Sequence, residues 1–258
     1  MDKLKTKLGV VVVMPAYNAA KTLEKTYDAI PPNTVDDIIL VDDGSRDDTV
    51  SIAKSLNLSV FKHKQNYGYG ANQKTCYKEA LNTNNNIIVM LHPDYQYDPS
   101  LLPEIIKPIV KKEVSVVLGS RILDSNPVKQ GMPWWKYISN RFLTGLENWV
   151  FGIKLSEYHT GYRAYSREVL ETVNFKMNSD QFVFDQEIMA QIVASGFKIA
   201  EVPIPTKYFP EASSASLIQS TIYGLSILKV LWRYWLHKRG IKKYPQFDSL
   251  RERYQEVN

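Results

Sequence analysis

The sequence predicts an α/β protein: a mostly parallel sheet with helices on both faces, extended by an amphipathic C-terminal helix. Two observations carry this. Through residue 120, short Val/Ile/Leu-rich runs alternate with stretches of helical period, the pattern of strands buried on both faces and joined by helical crossovers. The chain has 258 residues, 44% of them hydrophobic, enough to bury a large core. That excludes disorder for most of it.

The strands are read at Val10–Met14, Asp37–Val41, Ser59–Lys62, Ile87–Leu91 and Val114–Leu118, each a β-branched or aliphatic run bounded by polar or turn residues. Between them, Ala19–Ile30, Asp47–Leu56, Tyr69–Leu81 and Ser100–Lys111 show helical spacing. Beyond residue 121 the pattern changes. Met132–Ile153 is an aromatic-rich amphipathic stretch, and His159–Tyr165 is a short strand and turn. Val183–Ser195 reads as a helix, Lys198–Val202 as a strand and Ser216–Lys238 as a long helix. No repeat or linker divides the chain, so the partition is one domain over 1–215 with a helix and basic tail over 216–258.

Charge supports that partition. There are 32 Lys and Arg against 27 Asp and Glu, a net charge of +5, and the stretch from Leu217 to Asn258 alone holds eight basic and three acidic residues. A basic surplus confined to a tail argues against a protein that wraps nucleic acid, and for one local contact with something anionic or a solvated helix face. Cys76 is the single cysteine, so there is neither an intramolecular disulfide nor a cysteine-rich metal site. That suits a reducing compartment. The apolar run after MDKLKTK is short and stops at Pro15, so it reads as a buried strand rather than a signal peptide. Lys229 and Arg233 interrupt the long helix, where a span needs about 20 apolar residues. The expectation is a protein that touches a membrane without crossing it.

Ligands of such sheets bind outside the carboxyl ends of the strands, and here those ends are polar. Strand one runs into Pro15-Ala16-Tyr17-Asn18, strand two into Asp42-Asp43-Gly44-Ser45, strand four into His92-Pro93-Asp94-Tyr95-Gln96-Tyr97-Asp98, and strand five into Gly119-Ser120-Arg121. Asn66-Tyr67-Gly68-Tyr69-Gly70-Ala71 opens a helix on the same edge. A carboxylate at Asp42 or Asp43 suits a ribose hydroxyl or base N–H, or equally a capping turn, and Pro15 and Tyr17 would wall the base. An acidic loop holding Asp94 suits a divalent cation that neutralises a diphosphate. Asp98 before Pro99 reads as a helix cap. Arg121 is placed for a phosphate. Asp185 and Glu187 open a helix, where acids are favoured by the helix dipole, and at most one of them can face a reacting centre. His63, His159 and His237 have no metal spacing and read as incidental.

Taken together, VVVMPAYN, IILVDDGSRDDT, NYGYGAN, HPDYQYDP, GSR, HTGYRAYSREVL, FDQEI and EVPIPTKYFPEASS, in this order over residues 9 to 235, resemble the inverting family 2 glycosyltransferases of GT-A fold. The branch resembled is that of dolichol- and polyprenyl-phosphate sugar transferases. The resemblance implies that Pro15, Tyr17, Asp42 and Asp43 meet the nucleoside of a sugar nucleotide, with Asn18 and Gly70 in the same donor set. It places Asp94 and Gln96 at the diphosphate and a Mn2+ or Mg2+ ion, with His92 as a further ligand candidate. Arg121 and Arg141 would hold phosphate groups, Arg141, Tyr162 and Arg163 would lie toward the acceptor, and Asp185 and Glu187 would form the acidic helix start.

Three positions depart from the family pattern: its D-x-D is His92-Pro93-Asp94, its acid after PxYN is Ala19, and the Asp before its T-S-G-F-R is Glu157. A His still ligates Mn2+ but leaves less charge for Mg2+.

The function expected is transfer of a sugar from a UDP- or GDP-sugar to a polyprenyl or dolichyl phosphate with inversion, on the cytoplasmic face of a membrane. An anionic phosphate acceptor needs no base but does need cations and room for a tail. The aromatic stretch with Trp134, Trp135, Trp149 and Phe151 beside Lys136 and Arg141, and the long helix with Tyr223, Trp232, Tyr234 and Trp235 before Lys238-Arg239 and Lys242-Lys243, have that composition. Two alternatives stand beside it: transfer to a glycan hydroxyl with Asp185 or Glu187 as base, and a sugar-nucleotide binding protein without catalysis.

Overall fold

In the computed structural model the described residues are 8–123, 127–205 and 217–250, with side chains described from 221 in the last stretch. Residues 1–7, the 206–214 part of EVPIPTKYFPEASS and the charged tail 251–258 lie outside them.

The strands are β1 (Val10–Ala16), β2 (Asp37–Asp42), β3 (Ser59–Lys62), β4 (Ile87–Met90), β5 (Val116–Ser120), β6 (Arg163–Ser166) and β7 (Ile199–Pro203). The helices are α1 (Leu23–Asp28), α2 (Thr49–Ser55), α3 (Tyr69–Leu81), α4 (Leu102–Val110), α5 (Trp134–Phe151), α6 (Arg167–Thr172), α7 (Phe184–Ala194) and α8 (Leu217–Lys238). The strands form one sheet in the order β3-β2-β1-β4-β6-β5-β7, parallel except that β6 runs antiparallel to both neighbours.

Alternation along the strands divides the core. Val11, Val13, Ile39, Val41, Ile88 and Met90 face one cluster, completed by Cys76 and Tyr77 of α3 and Ile188 of α7. Val10, Val12, Met14, Leu40, Ile87 and Val89 face the other, with Leu23 of α1 and Ile105 of α4. Period two with both faces buried is why β1 reads as an unbroken apolar run. Pro15 is tolerated in this central strand because pairing with β4 stops at Val13 and Met90.

Most boundaries shift by a few residues, and for four of them the physical reason is visible. Strand β5 begins later and continues through Gly119 and Ser120, because β7 pairs with it to that point. The expected His159–Tyr165 strand starts only at Arg163, since the carbonyls of His159 and Thr160 are taken by arginine side chains. Helix α1 starts at Leu23, Ala19–Thr22 being held as a turn by loop contacts to Asp47 and Thr49. Helix α5 ends where Gly152 adopts φ of 75° and its N–H caps Asn148 O.

Helix α8 is not a free extension. Its Ile227, Val230, Leu231 and Tyr234 belong to the main core beside Phe151 of α5.

Candidate active site

The β1 and β2 ends are sewn together. Asn18 adopts φ of 51°, a strained left-handed conformation; its N–H donates to Ser45 Oγ at 2.8 Å and its Oδ1 accepts from Arg46 N at 2.9 Å. Tyr17 beside it is exposed. Asp42 and Asp43, expected against the nucleoside, are both buried. Asp42 accepts from Ser45 N at 3.1 Å. Asp43 accepts from Tyr67 N and Gly68 N, each at 2.9 Å, and meets His63 Nδ1 at 2.7 Å. The paired acids shape the edge by fixing its loops, their oxygens turned into the protein.

Gly70 also serves to hold a loop. Its N–H donates to Asp180 O at 2.8 Å, and a Cβ there would lie 2.3 Å from Ser179 O. Glycine is required there for the close approach of the 178–181 loop.

The β4 end carries the most concentrated chemistry. Asp94 Oδ1 accepts from Gln96 N at 3.0 Å, inside a loop where Tyr95 has φ of 56°. Burial pushes the Asp94 carboxyl above its ordinary range, against the pull of His92. Burial pushes the His92 imidazole down, against Asp94 and Asp185.

Tyr69 Oη lies 3.3 Å from His92 Nε2 and donates to Asp185 Oδ2 at 2.8 Å. Its ring stacks between His92 and Phe182, with centroids 5.5 and 4.7 Å away. Burial, then the Asp185 charge, pushes the phenol far up, so it remains a donor. Asp185 Oδ1 accepts from Gln73 Nε2 at 3.1 Å and lies 3.6 Å from Arg163 Nη1. Glu187 turns the other way, accepting from Ser179 N and lying 3.6 Å from Arg233 Nη1. Of the two acids, Asp185 is the one joined to the edge. Tyr69 and Gln73 were missed as site residues, although their helix opens with the glycine-rich signal.

Arg121 is at the edge but already balanced. Its guanidinium is paired with Glu157 and donates to His159 O at 2.6 Å. Burial opposes ionisation of Glu157, yet Arg121 and Asn140 hold its carboxyl below the ordinary value. Asn140 of α5 donates to the same Glu157 at 2.8 Å, and Lys136, one helical turn earlier, is pushed down by burial and by the Arg121 charge. Arg141 is exposed on the same helix and donates to Ser156 O at 2.8 Å.

Tyr162 and Arg163 are the residues expected toward the acceptor. Both are fully buried: Tyr162 packs against Gly119, and Arg163 donates to the carbonyls of Thr160, Asp185 and Tyr158. Arg163 pins the loop before β6 to the start of α7. The three histidines read as incidental are structural as well: His63 braces Asp43, His159 lies against Glu147 and Gln186, and His237 lies beside Asp248.

Among the described residues no group of three or more His, Cys, Asp or Glu forms a ready-made metal centre. The donors at the β4 end are the Asp94 oxygen not engaged by Gln96 and the His92 ring. Such a set fits one divalent ion that draws its remaining ligands from a diphosphate.

Outside the edge, α5 and α8 pack side by side and present a common apolar surface. Trp134, Ile138, Phe142 and Trp149 of α5 and Ile222, Leu225, Leu228 and Trp232 of α8 are exposed, Trp149 by 75% and Leu225 by 62%. A groove of about 270 Å³ runs between the helices, lined by Leu146, Trp149, Val150, Leu228, Leu231, Trp232 and Trp235. Lys238, Arg239, Lys242 and Lys243 are exposed past its end, Arg239 over the Trp235 ring at 5.5 Å. Phe151, expected with the aromatic face, is instead in the core.

Comparison with known proteins gives a consistent result. The family described as Glycosyl transferase family 2 matches residues 11–173. The protein MJ1222 of Methanocaldococcus jannaschii is 31% identical over 219 residues, covering 85% of this chain and 89% of the relative. The UDP-N-acetylglucosamine–dolichyl-phosphate N-acetylglucosaminyltransferase of Methanococcus voltae is 28% identical over 216 residues, covering 77% of this chain and 86% of the relative. Glucosyl-3-phosphoglycerate synthase from Mycobacterium tuberculosis, solved with Mn2+, UDP-glucose and glycerol 3-phosphate, superposes with a TM-score of 0.68 at 19% identity, over 88% of this chain and 80% of that one. The mostly parallel sheet is thus the GT-A fold.

Proposed function

Because the chain belongs to glycosyl transferase family 2, we propose that this glycosyltransferase moves one sugar from a UDP- or GDP-sugar to a polyprenyl phosphate, with inversion, at a membrane surface. One observation carries the reading: helix α5 joins Lys136, one turn before the Asn140 that shares Glu157 with Arg121, to an outward strip of Trp134, Ile138, Phe142 and Trp149. Cations for an anionic headgroup and an apolar face for its tail thus lie on one element. The dolichyl-phosphate acceptor in the name of the Methanococcus voltae relative supports the same class of acceptor.

The donor diphosphate is assigned to the β4 end. A divalent ion held there by Asp94 and His92 would neutralise charge on the leaving diphosphate, and the Mn2+ bound by the mycobacterial neighbour supports a cation of this kind. Tyr17 is exposed at the β1 end, where a base would lie. Tyr69 donates to Asp185 and stacks on His92, fixing the ring's orientation.

A polyprenyl phosphate is already anionic near pH 7, so no group has to remove its proton. Asp185 accordingly serves as an anchor between α3, α7 and the loop before β6. Its two oxygens are already engaged, accepting from Tyr69 and Gln73 and facing Arg163. This disfavours the glycan-hydroxyl alternative. Arg121, Lys136 and Arg141 form the cationic side against which the acceptor phosphate would align for attack on the anomeric carbon, opposite the leaving group.

Among the described residues no helix is long and apolar enough to cross a membrane. The α5–α8 face, with the exposed bases that follow it, would lie flat on an anionic leaflet, on the cytoplasmic side where sugar nucleotides are available. In this reading α8 is the membrane-facing part of the fold, packed on α5 and α7. Butanol-extractable label formed from a labelled sugar nucleotide and a short polyprenyl phosphate is the test.

A further inference from the structure

A second polar cluster lies away from the donor edge. Glu147 of α5 is fully buried, and among the described residues neither of its carboxylate oxygens has a hydrogen-bond partner. The group facing it is His159, whose Nε2 lies 3.2 Å from Glu147 Oε2 without a well-formed hydrogen bond. On the other side of the ring, Gln186 Nε2 of α7 lies 3.0 Å from His159 Nδ1. Tyr223 of α8 donates to Gln186 Oε1 at 2.6 Å and lies 3.4 Å from the same Nδ1. With Gln186 Oε1 fixed by the tyrosine, its amide nitrogen faces Nδ1, which leaves the ring proton on Nε2 toward Glu147.

A buried carboxylate with so little compensation is a poor device for stability. Pairs of this kind are commonly replaced by apolar residues at no cost, and an unsatisfied buried group calls for another explanation. The explanation here lies in the His159 backbone. Its carbonyl accepts from Arg121 at 2.6 Å, and two residues on, Gly161 is pressed against His92: a Cβ there would lie 2.7 Å from His92 Cδ2. Gly161 N donates to Tyr97 Oη at 3.0 Å. One imidazole thus touches α5, α7 and α8, while its own peptide segment touches the two edge residues on either side of the site.

We propose that Glu147 and His159 are positioning residues that set the donor edge from the helix side: they fix the 157–161 segment against α5, α7 and α8 and thereby seat Arg121 and His92. The assignment of His92 and Arg121 to donor and phosphate rests on the function proposed above, but the coupling itself does not.

The test uses the full chain and two readouts, hydrogen exchange of amides in 92–97 and 157–161 and affinity for UDP and GDP, measured below the melting temperature. The double substitution Glu147→Leu with His159→Phe removes the polar pair but keeps its bulk. It is expected to leave the melting temperature unchanged or raised, to speed exchange in both segments at least tenfold, and to weaken binding of whichever nucleotide the wild type binds by about tenfold. Glu147→Gln, which keeps shape and an oxygen facing Nε2, is expected to restore both readouts to within twofold of wild type, as a purely structural role would not require. If the double variant does not fold, Gln186→Met removes one arm at nearly constant volume and is expected to shift exchange in the same direction. Wild-type exchange in both segments in the folded variant overturns the proposal. If the wild type binds neither nucleotide, the functional reading fails while exchange still decides this one.

Discussion

The Tyr69 phenol donates a 2.8 Å hydrogen bond to Asp185 Oδ2, joining the glycine-rich start of α3 to the acidic start of α7. Because Tyr69 also lies 3.3 Å from His92 Nε2, three segments distant in sequence meet at one hydroxyl. Tyr69→Phe removes that hydroxyl and keeps the ring stack. It is expected to lower turnover about 10- to 100-fold, as loss of an orienting partner does, with the donor KM nearly unchanged. Steady-state kinetics on the purified variant check this, and wild-type turnover would remove Tyr69 from the site.

Asp94 gives a prediction in which stability and activity move apart. Its carboxyl is raised above the ordinary value by burial, so the folded state disfavours the charge. For a group raised in this way, its contribution to stability is greatest below the unfolded value and is lost as pH rises through the folded one. Asp94→Asn is therefore expected to raise the melting temperature at pH 7 and to lose that advantage near pH 4. Turnover should fall at least about 100-fold, the scale of losing one preorganised electrostatic group. Without added cation, the wild-type Asp94 carboxyl should titrate above the ordinary carboxylate range. Melting curves across pH and a pH–rate profile read both.

Asp43 is expected to act on stability first. Replacing it with Ala strands the Tyr67 and Gly68 amides and frees His63. The loss is about 3 kcal/mol, from hydrogen bonds to a buried charged acceptor, measured by denaturant unfolding. Donor binding should weaken only as the 66–70 loop loosens.

The sheet was legible because its strands are buried on both faces and read as apolar runs, and Ser59–Lys62 and Tyr69–Leu81 match the expected elements residue for residue. The edge was legible for the same reason, since polar residues can only gather where the strands end. Side-chain direction was not. Nothing in Asp42-Asp43-Gly44 says that both carboxylates turn inward to hold loops, or that Arg163 is spent on three carbonyls. Nor does composition show that Arg121 finds Glu157 36 residues later, a long-range pairing without a local pattern. The amphipathic character of α8 was visible, but its apolar stripe is wide enough to serve both core and surface, so Ile227 and Val230 face inward while Leu225 faces out.

That division dictates how the lipid face is tested. Deleting 217–258 would remove core residues, so point changes are needed. Trp149→Glu with Leu225→Glu alters two exposed positions and is expected to change stability by no more than about 0.5 kcal/mol each, while abolishing flotation with anionic vesicles. Neutralising Lys238, Arg239, Lys242 and Lys243 to Gln should weaken vesicle binding by about 1 kcal/mol per charge, with the difference shrinking as salt rises. Undiminished flotation of both variants would remove the membrane role from this face.

Transfer of sugar to a lipid phosphate at the edge formed by β1, β4 and α7 is measured by incubating the purified chain with radiolabelled UDP- and GDP-sugars, a short polyprenyl phosphate and Mn2+, then extracting with butanol. Label is expected in the organic phase, dependent on both the polyprenyl phosphate and Asp94. Label that passes only to a glycan hydroxyl, or donor binding with no transfer to the lipid phosphate, would contradict it.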